Sequence, residues 1–163
     1  METIDNFYGD NRFLSNFFDC NFTYNGLKYT NSEAAFQAQK TFDNNARLRV
    51  SRMNPKDAKR ACGRYGTIKL RPDWESVKYQ EMFNVLYAKF SQNPQLKDKL
   101  LKTGDAMLIE GNTWHDNIWG ACQCDRCRAG KQRNCLGREL MILRDLFNNK
   151  ITEDEAKLKI KML

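Results

Sequence analysis

The chain has 163 residues, 41% of them hydrophobic, and carries a formal net charge of +7 from 27 Lys and Arg against 20 Asp and Glu. This length suits one compact domain that buries about two-thirds of its unfolded surface, and the composition excludes a disordered chain. No apolar run reaches the roughly 20 residues that span a bilayer, and the start METIDNFYGD lacks the basic and apolar parts of an export signal. The expectation is a cytoplasmic protein with no membrane role, whose cysteines stay reduced. Its basic residues are scattered among the acids, so the charge selects phosphorylated ligands as a class without selecting one of them.

In chain order, Asn25-Gly26 supplies the positive φ angles of a two-residue turn, which predicts paired strands over 21–24 and 27–30. A helix follows from near Ser32, with Thr30 and Glu33 spaced as a capping box. Asn54-Pro55 opens a second helix that Gly63 closes. After an extended piece at 67–71, Asp73 caps a longer helix to about Phe90, its apolar positions recurring at helical spacing. A short helix over 96–102, a strand in "AMLIE", and helices over 136–147 and after Thr152 complete the pattern. The longest irregular segment, 111–135, is where a compact domain of this size tends to place function.

Glu33, Gln37 and Lys40 fall at i, i+4 and i+7 and so share one helical face. Read by itself, Glu33 is a helix cap and the other two are solvated. A Trp beside a Gly in a polar loop, as in Trp119-Gly120, suits stacking on a base. Cys122, Cys124, Cys127 and Cys135 offer four thiolates from one loop for a structural zinc, and burial of the cysteines is the alternative. His115, the only histidine, is placed to substitute for one of them. Cys20 and Cys62 read as small buried hydrophobes.

Six stretches, in order, carry a resemblance: "NFYGDNRFLSNF" (6–17), "NGLKYTNSEAAFQAQK" (25–40), "CGR" (62–64), "LRPDWESVK" (70–78), "HDNIWG" (115–120) and "NCLGRELMILR" (134–144). Together they resemble the NADAR superfamily, the YbiA-like N-glycosidases. The resemblance implies an α+β, predominantly helical single domain over 1–163, with a short N-terminal hairpin and few strands. It also implies hydrolysis of an N-glycosidic bond. One branch acts on the ribosylamino-pyrimidine phosphates of early riboflavin synthesis, and another removes ADP-ribose from guanine.

By motif, Glu33 and Asp116 match acidic positions of the family, and Asn16, Gln37, Lys40, Arg64, Trp74, Trp119 and Asn134 fall on its other positions. In the mechanism this implies, the two acids stabilise an oxocarbenium-like sugar, activate water and protonate the departing base. Lys40 and Arg64 would take phosphate, Trp119 and Tyr8 would stack on the heterocycle, and Asn16 and Asn134 would hydrogen-bond ribose or base. No cofactor is required, and the cysteines become a brace at most. The charge of +7 puts an ADP-ribosyl substrate, including ADP-ribosylated DNA, ahead of the small riboflavin-type phosphate. The rival from another class is a non-catalytic, zinc-stabilised nucleic-acid-binding module.

Overall fold

A computed structural model describes residues 1–163. The chain begins with β1 (Thr3–Ile4) and a 3-10 helix (Gly9–Leu14), then the strands β2 (Phe22–Tyr24) and β3 (Leu27–Tyr29). Five helices follow: α1 (Ser32–Ala38), α2 (Asn44–Ser51), α3 (Pro55–Ala61), α4 (Trp74–Gln92) and α5 (Pro94–Lys102). Three short strands come next, β4 (Met107–Leu108), β5 (Gly111–Asn112) and β6 (Ala121–Cys122). The chain closes with α6 (Asp125–Arg128), α7 (Cys135–Phe147) and α8 (Glu153–Lys161). The result is the predominantly helical α+β chain with few strands that was expected. It gathers into two compact units, residues 16–97 and residues 1–15 with 98–163.

In the unit of residues 16–97, β2 and β3 pair antiparallel with Phe22 opposite Tyr29, and the turn residues Asn25 and Gly26 have φ of 47° and 79°. Helix α1 is the centre, packed against α2, α3 and α4, and all seven of its residues are buried. The small side chains of Ala34, Ala35 and Ala38 make this possible, letting Val50, Ala58, Cys62 and Val85 approach closely. The expected Thr30–Glu33 capping box does not form. Asn31 caps α1 instead, its Oδ1 accepting the Ala34 N–H at 2.7 Å while its Nδ2 donates to the Met53 carbonyl at 3.1 Å.

Two further departures have local causes. Helix α2 is not expected from the sequence, because its buried positions Ala46, Val50 and Ser51 are too few and too small to make a visible stripe. Asp43 starts this helix by accepting from the amides of Asn45 and Ala46. Asp73 stands at the start of α4 without a side-chain capping bond, since its carboxylate pairs with the Arg71 guanidinium at 2.6 and 2.8 Å.

In the other unit, β1 pairs parallel with β4 and β5 parallel with β6, the latter setting Gly111 opposite Ala121 and Asn112 opposite Cys122. Helix α7 packs on β4 and α8. Gly137 permits this, because a Cβ there would stand 2.2 Å from the Leu108 carbonyl oxygen. Leu136, Leu140 and Leu143 are buried as their spacing predicts. Thr152 and Glu155 form a reciprocal capping box at the start of α8. No helix is long and apolar enough to cross a membrane.

Candidate active site and metal centre

Within residues 16–97 the chemistry gathers at the start of α1. Glu33 is buried at 8% exposure, and its N–H donates to the Asn16 carbonyl at 3.0 Å. Ser32 Oγ donates to Asn16 Oδ1 at 2.8 Å, so Asn16 fixes the first turn of the helix through both backbone and side chain. One turn on, Gln37 Nε2 donates to Glu33 Oε1 at 2.9 Å. That bond leaves Gln37 Oε1 as an acceptor, and it is buried with no partner. A buried orphan acceptor costs about 1–3 kcal/mol, which a ligand's donor would recover.

Lys40 continues the same face. Its Nζ lies 5.9 Å from the Trp74 ring centroid, and burial lowers its pKa against the opposing pull of Cys62 and Glu33. Burial pushes the Cys62 thiol up to about 11, which keeps it protonated and unreactive at neutral pH. Trp74 is itself buried, with its ring 5.2 Å from that of Phe36. It acts as a wall of the core on which Lys40 rests. Arg64 is exposed over the Tyr65 ring and is not bonded to this group.

The remaining expected residues belong to the other unit. Tyr8 is 60% exposed, ahead of the 3-10 helix. Asp116 is half-buried and clamped by Asn112, whose Nδ2 donates to the Asp116 carbonyl at 2.8 Å and whose Oδ1 accepts the Asp116 N–H at 3.2 Å. Asp116 Oδ1 accepts from the amides of Ile118 and Trp119 at 3.1 and 2.9 Å, and Oδ2 has no protein partner. The carboxylate is therefore held at one oxygen and presented at the other.

Asn134 has a different employment from the ribose or base contact expected of it. Its Oδ1 accepts the Glu110 N–H at 3.0 Å and its Nδ2 donates to the Leu108 carbonyl at 2.8 Å, so both ends of the amide brace backbone. It does so from a left-handed conformation, φ 48°, which Asn tolerates better than most residues. Asn112 is a site residue that the sequence does not single out. Its only signal was a polar residue beside a glycine at the edge of a loop.

The cysteine set is also revised. His115 Nδ1 lies 3.3 Å from Cys127 Sγ, 3.5 Å from Cys124 Sγ and 4.0 Å from Cys122 Sγ, and all four ligand atoms lie within 4.8 Å of one another. These four residues can hold a metal ion. Cys135 is not among them: it is fully buried as the first residue of α7, its N–H donating to the Ile118 carbonyl. The αL backbone of His115, φ 69°, brings the imidazole into the fourth place.

The model of the NADAR domain matches residues 6–148. The N-glycosidase YbiA of Escherichia coli is 38% identical over 148 residues, 89% of each chain. A riboflavin biosynthesis protein of Vibrio vulnificus is 36% identical over 82% of this chain and 35% of its own length. An N-glycosidase of Nostoc punctiforme is 40% identical over 55% of this chain and 53% of its own. Among solved structures, the NMR structure of E. coli YbiA superimposes with a TM-score of 0.77 at 37% identity, covering 92% of this chain and 88% of that one. With matches spanning nearly the whole chain in both sequence and fold, this protein belongs to the NADAR domain family.

Proposed function

We propose that this protein is a hydrolase that cleaves the N-glycosidic bond between a phosphorylated ribose and a base. The observation that carries this is the buried Glu33–Gln37 pair, a carboxylate held by one amide nitrogen with an unpartnered amide oxygen beside it. Polar groups are costly inside a helix buried all round, and a substrate's charge and hydroxyls would offset that cost. Relatives named N-glycosidases at 38% and 40% identity support the same reaction class.

As the bond to the base breaks, positive charge grows on the sugar and the base leaves with the electron pair. One carboxylate stabilises the cation and takes a proton from the attacking water, while a protonated acid delivers a proton to the base. We assign these tasks to Glu33 and Asp116. Lys40 takes the phosphate, with exposed Arg64 as a second cation. Trp119 and Tyr8 stack on the heterocycle. Gln37 orients Glu33, and its free oxygen accepts from a ribose hydroxyl. Asn16 and Asn134 act through the backbone they hold. Two carboxylates carry the chemistry, so no cofactor enters a step, and a zinc ion at the His/Cys cluster has a bracing part only. We assign the enzyme to the cytoplasm, a reading that its six unpaired cysteines support.

Two substrate classes are candidates. The name of the Vibrio relative favours a ribosylamino-pyrimidine phosphate. The net charge of +7 favours ADP-ribose on guanine, alone or within DNA. We place the pyrimidine phosphate first, because a diffuse field suits many anions and discriminates little among them. The test is release of free base from each compound, followed by chromatography and mass spectrometry. Expected is turnover of the pyrimidine phosphate that vanishes in Glu33→Gln, whereas release from neither compound would overturn the proposal.

A further inference from the structure

We propose that His115, Cys122, Cys124 and Cys127 bind one zinc ion, and that this ion sets the position of the Asp116–Trp119 segment. The first part rests on geometry alone. A tetrahedral zinc with Zn–S of about 2.3 Å and Zn–N of about 2.05 Å places its nitrogen and sulfur ligands about 3.6 Å apart. The observed Nδ1 to Sγ separations of 3.3, 3.5 and 4.0 Å straddle that value. One imidazole N–H can serve a single hydrogen bond well, so three sulfurs converging on one nitrogen call for a shared central partner. Binding releases the three thiol protons to solvent and uses the lone pair of neutral Nδ1, leaving the proton on Nε2.

The supporting bonds are those a metal loop needs. Gln132 Nε2 donates to the carbonyls of Cys122 and Cys127 at 2.7 and 3.2 Å, tying together the two ends of the thiolate run. Asn117 Oδ1 accepts the Cys122 N–H at 3.1 Å, and the amides of Cys127 and Arg128 both donate to the Cys124 carbonyl. His115 keeps a left-handed backbone at φ 69°, a conformation that a non-glycine residue adopts at a cost, and a metal bond to its ring would offset that strain.

Between ligands His115 and Cys122 lie six residues, Asp116, Asn117, Ile118, Trp119, Gly120 and Ala121. A metal that joins the ends of this span closes it into a short loop, with β6 and Asn112 as its other supports. Asp116 is covalently next to a ligand, so the ion limits its backbone directly. The positioning part rests on the role proposed above for Asp116, whereas the metal site does not.

The test uses the full-length protein. Metal analysis after purification without added zinc is expected to give one zinc per chain. Replacement with Co(II) is expected to give the visible bands of a tetrahedral thiolate site, since Zn(II) and Co(II) share this geometry. His115→Ala should weaken the metal by about 100-fold and alter the cobalt bands, while Cys135→Ala should leave stoichiometry and spectrum as they are. Removing the metal with a chelator should change the Trp fluorescence from the loop and lower Tm. A chain that binds neither zinc nor Co(II) stoichiometrically, or one in which Cys135→Ala abolishes the cobalt bands and His115→Ala does not, would overturn the site. A fluorescence and Tm unchanged by complete zinc removal would overturn its positioning role. None of these readouts uses glycosidase activity, so they stand apart from the substrate assignment.

Discussion

Gln37 donates to Glu33 Oε1, and that bond decides what a substitution at position 33 measures. Glutamine there can turn its amide to keep a bond with Gln37, so Glu33→Gln preserves packing and removes the charge. Its kcat is expected to fall by 10² or more with Tm within a few degrees of the parent, as is that of Asp116→Asn, whose amide oxygen still accepts from the two loop amides. Near-normal rates in both would remove these residues from the mechanism. Glu139 gives a second residue-scale prediction. Both its carboxylate oxygens are buried without partners, and burial raises its pKa well above the usual carboxylate value. A raised folded pKa favours the protonated native state. Its contribution is complete below the ordinary carboxyl pKa and is lost as pH rises from there through the folded value. Tm of the parent should therefore decline over that interval more steeply than Tm of Glu139→Gln. Parallel curves would show that Glu139 does not titrate in this way.

At the scale of elements, the junction of β4, β5 and α7 depends on Asn134. Its amide closes two backbone bonds, and its φ of 48° excludes most other side chains. Asn134→Ala should destabilise by about 3 kcal/mol, from two orphaned backbone groups and a strained φ. Asn134→Gly keeps the conformation and should recover about 1 kcal/mol of that loss. Urea unfolding of the pair checks both figures, and equal losses would show that the left-handed backbone is relaxed in the alanine variant. Elements with strong local signals were legible beforehand. The Asn25-Gly26 turn, the Asn54-Pro55 start and the Thr152–Glu155 box stand where their chemistry puts them. For α1, Thr30 and Asn31 are both competent caps, and the start of the helix at Ser32 puts Asn31 in that place.

For the molecule as a whole, the +7 charge makes a kinetic statement. A polyanionic substrate exchanges condensed counterions for protein contacts, so its association weakens steeply with salt, whereas a small monophosphate feels chiefly a local, partly buried cation. If ADP-ribosylated DNA is turned over, its kcat/KM should fall roughly tenfold or more between about 50 and 200 mM salt. The same change should alter kcat/KM for a ribosylamino-pyrimidine phosphate by no more than about threefold. Equal salt dependence for the two substrates would show that the net charge plays no part in choosing between them.

The amino-acid sequence alone was enough to identify the family, because the motif residues are read in order along the chain and need no coordinates. It also determined most helix starts and the hairpin, because capping and turn preferences act over three or four neighbouring residues. The tertiary structure decided the rest. It showed that Glu33 is engaged by Gln37 while Asn31 caps the helix, that Asn134 braces backbone, and that His115 stands where Cys135 was expected. Each of these turns on which of several chemically suitable side chains the fold brings within bonding distance. Spacing along the chain limits that choice to a few residues, and packing and backbone conformation select among them.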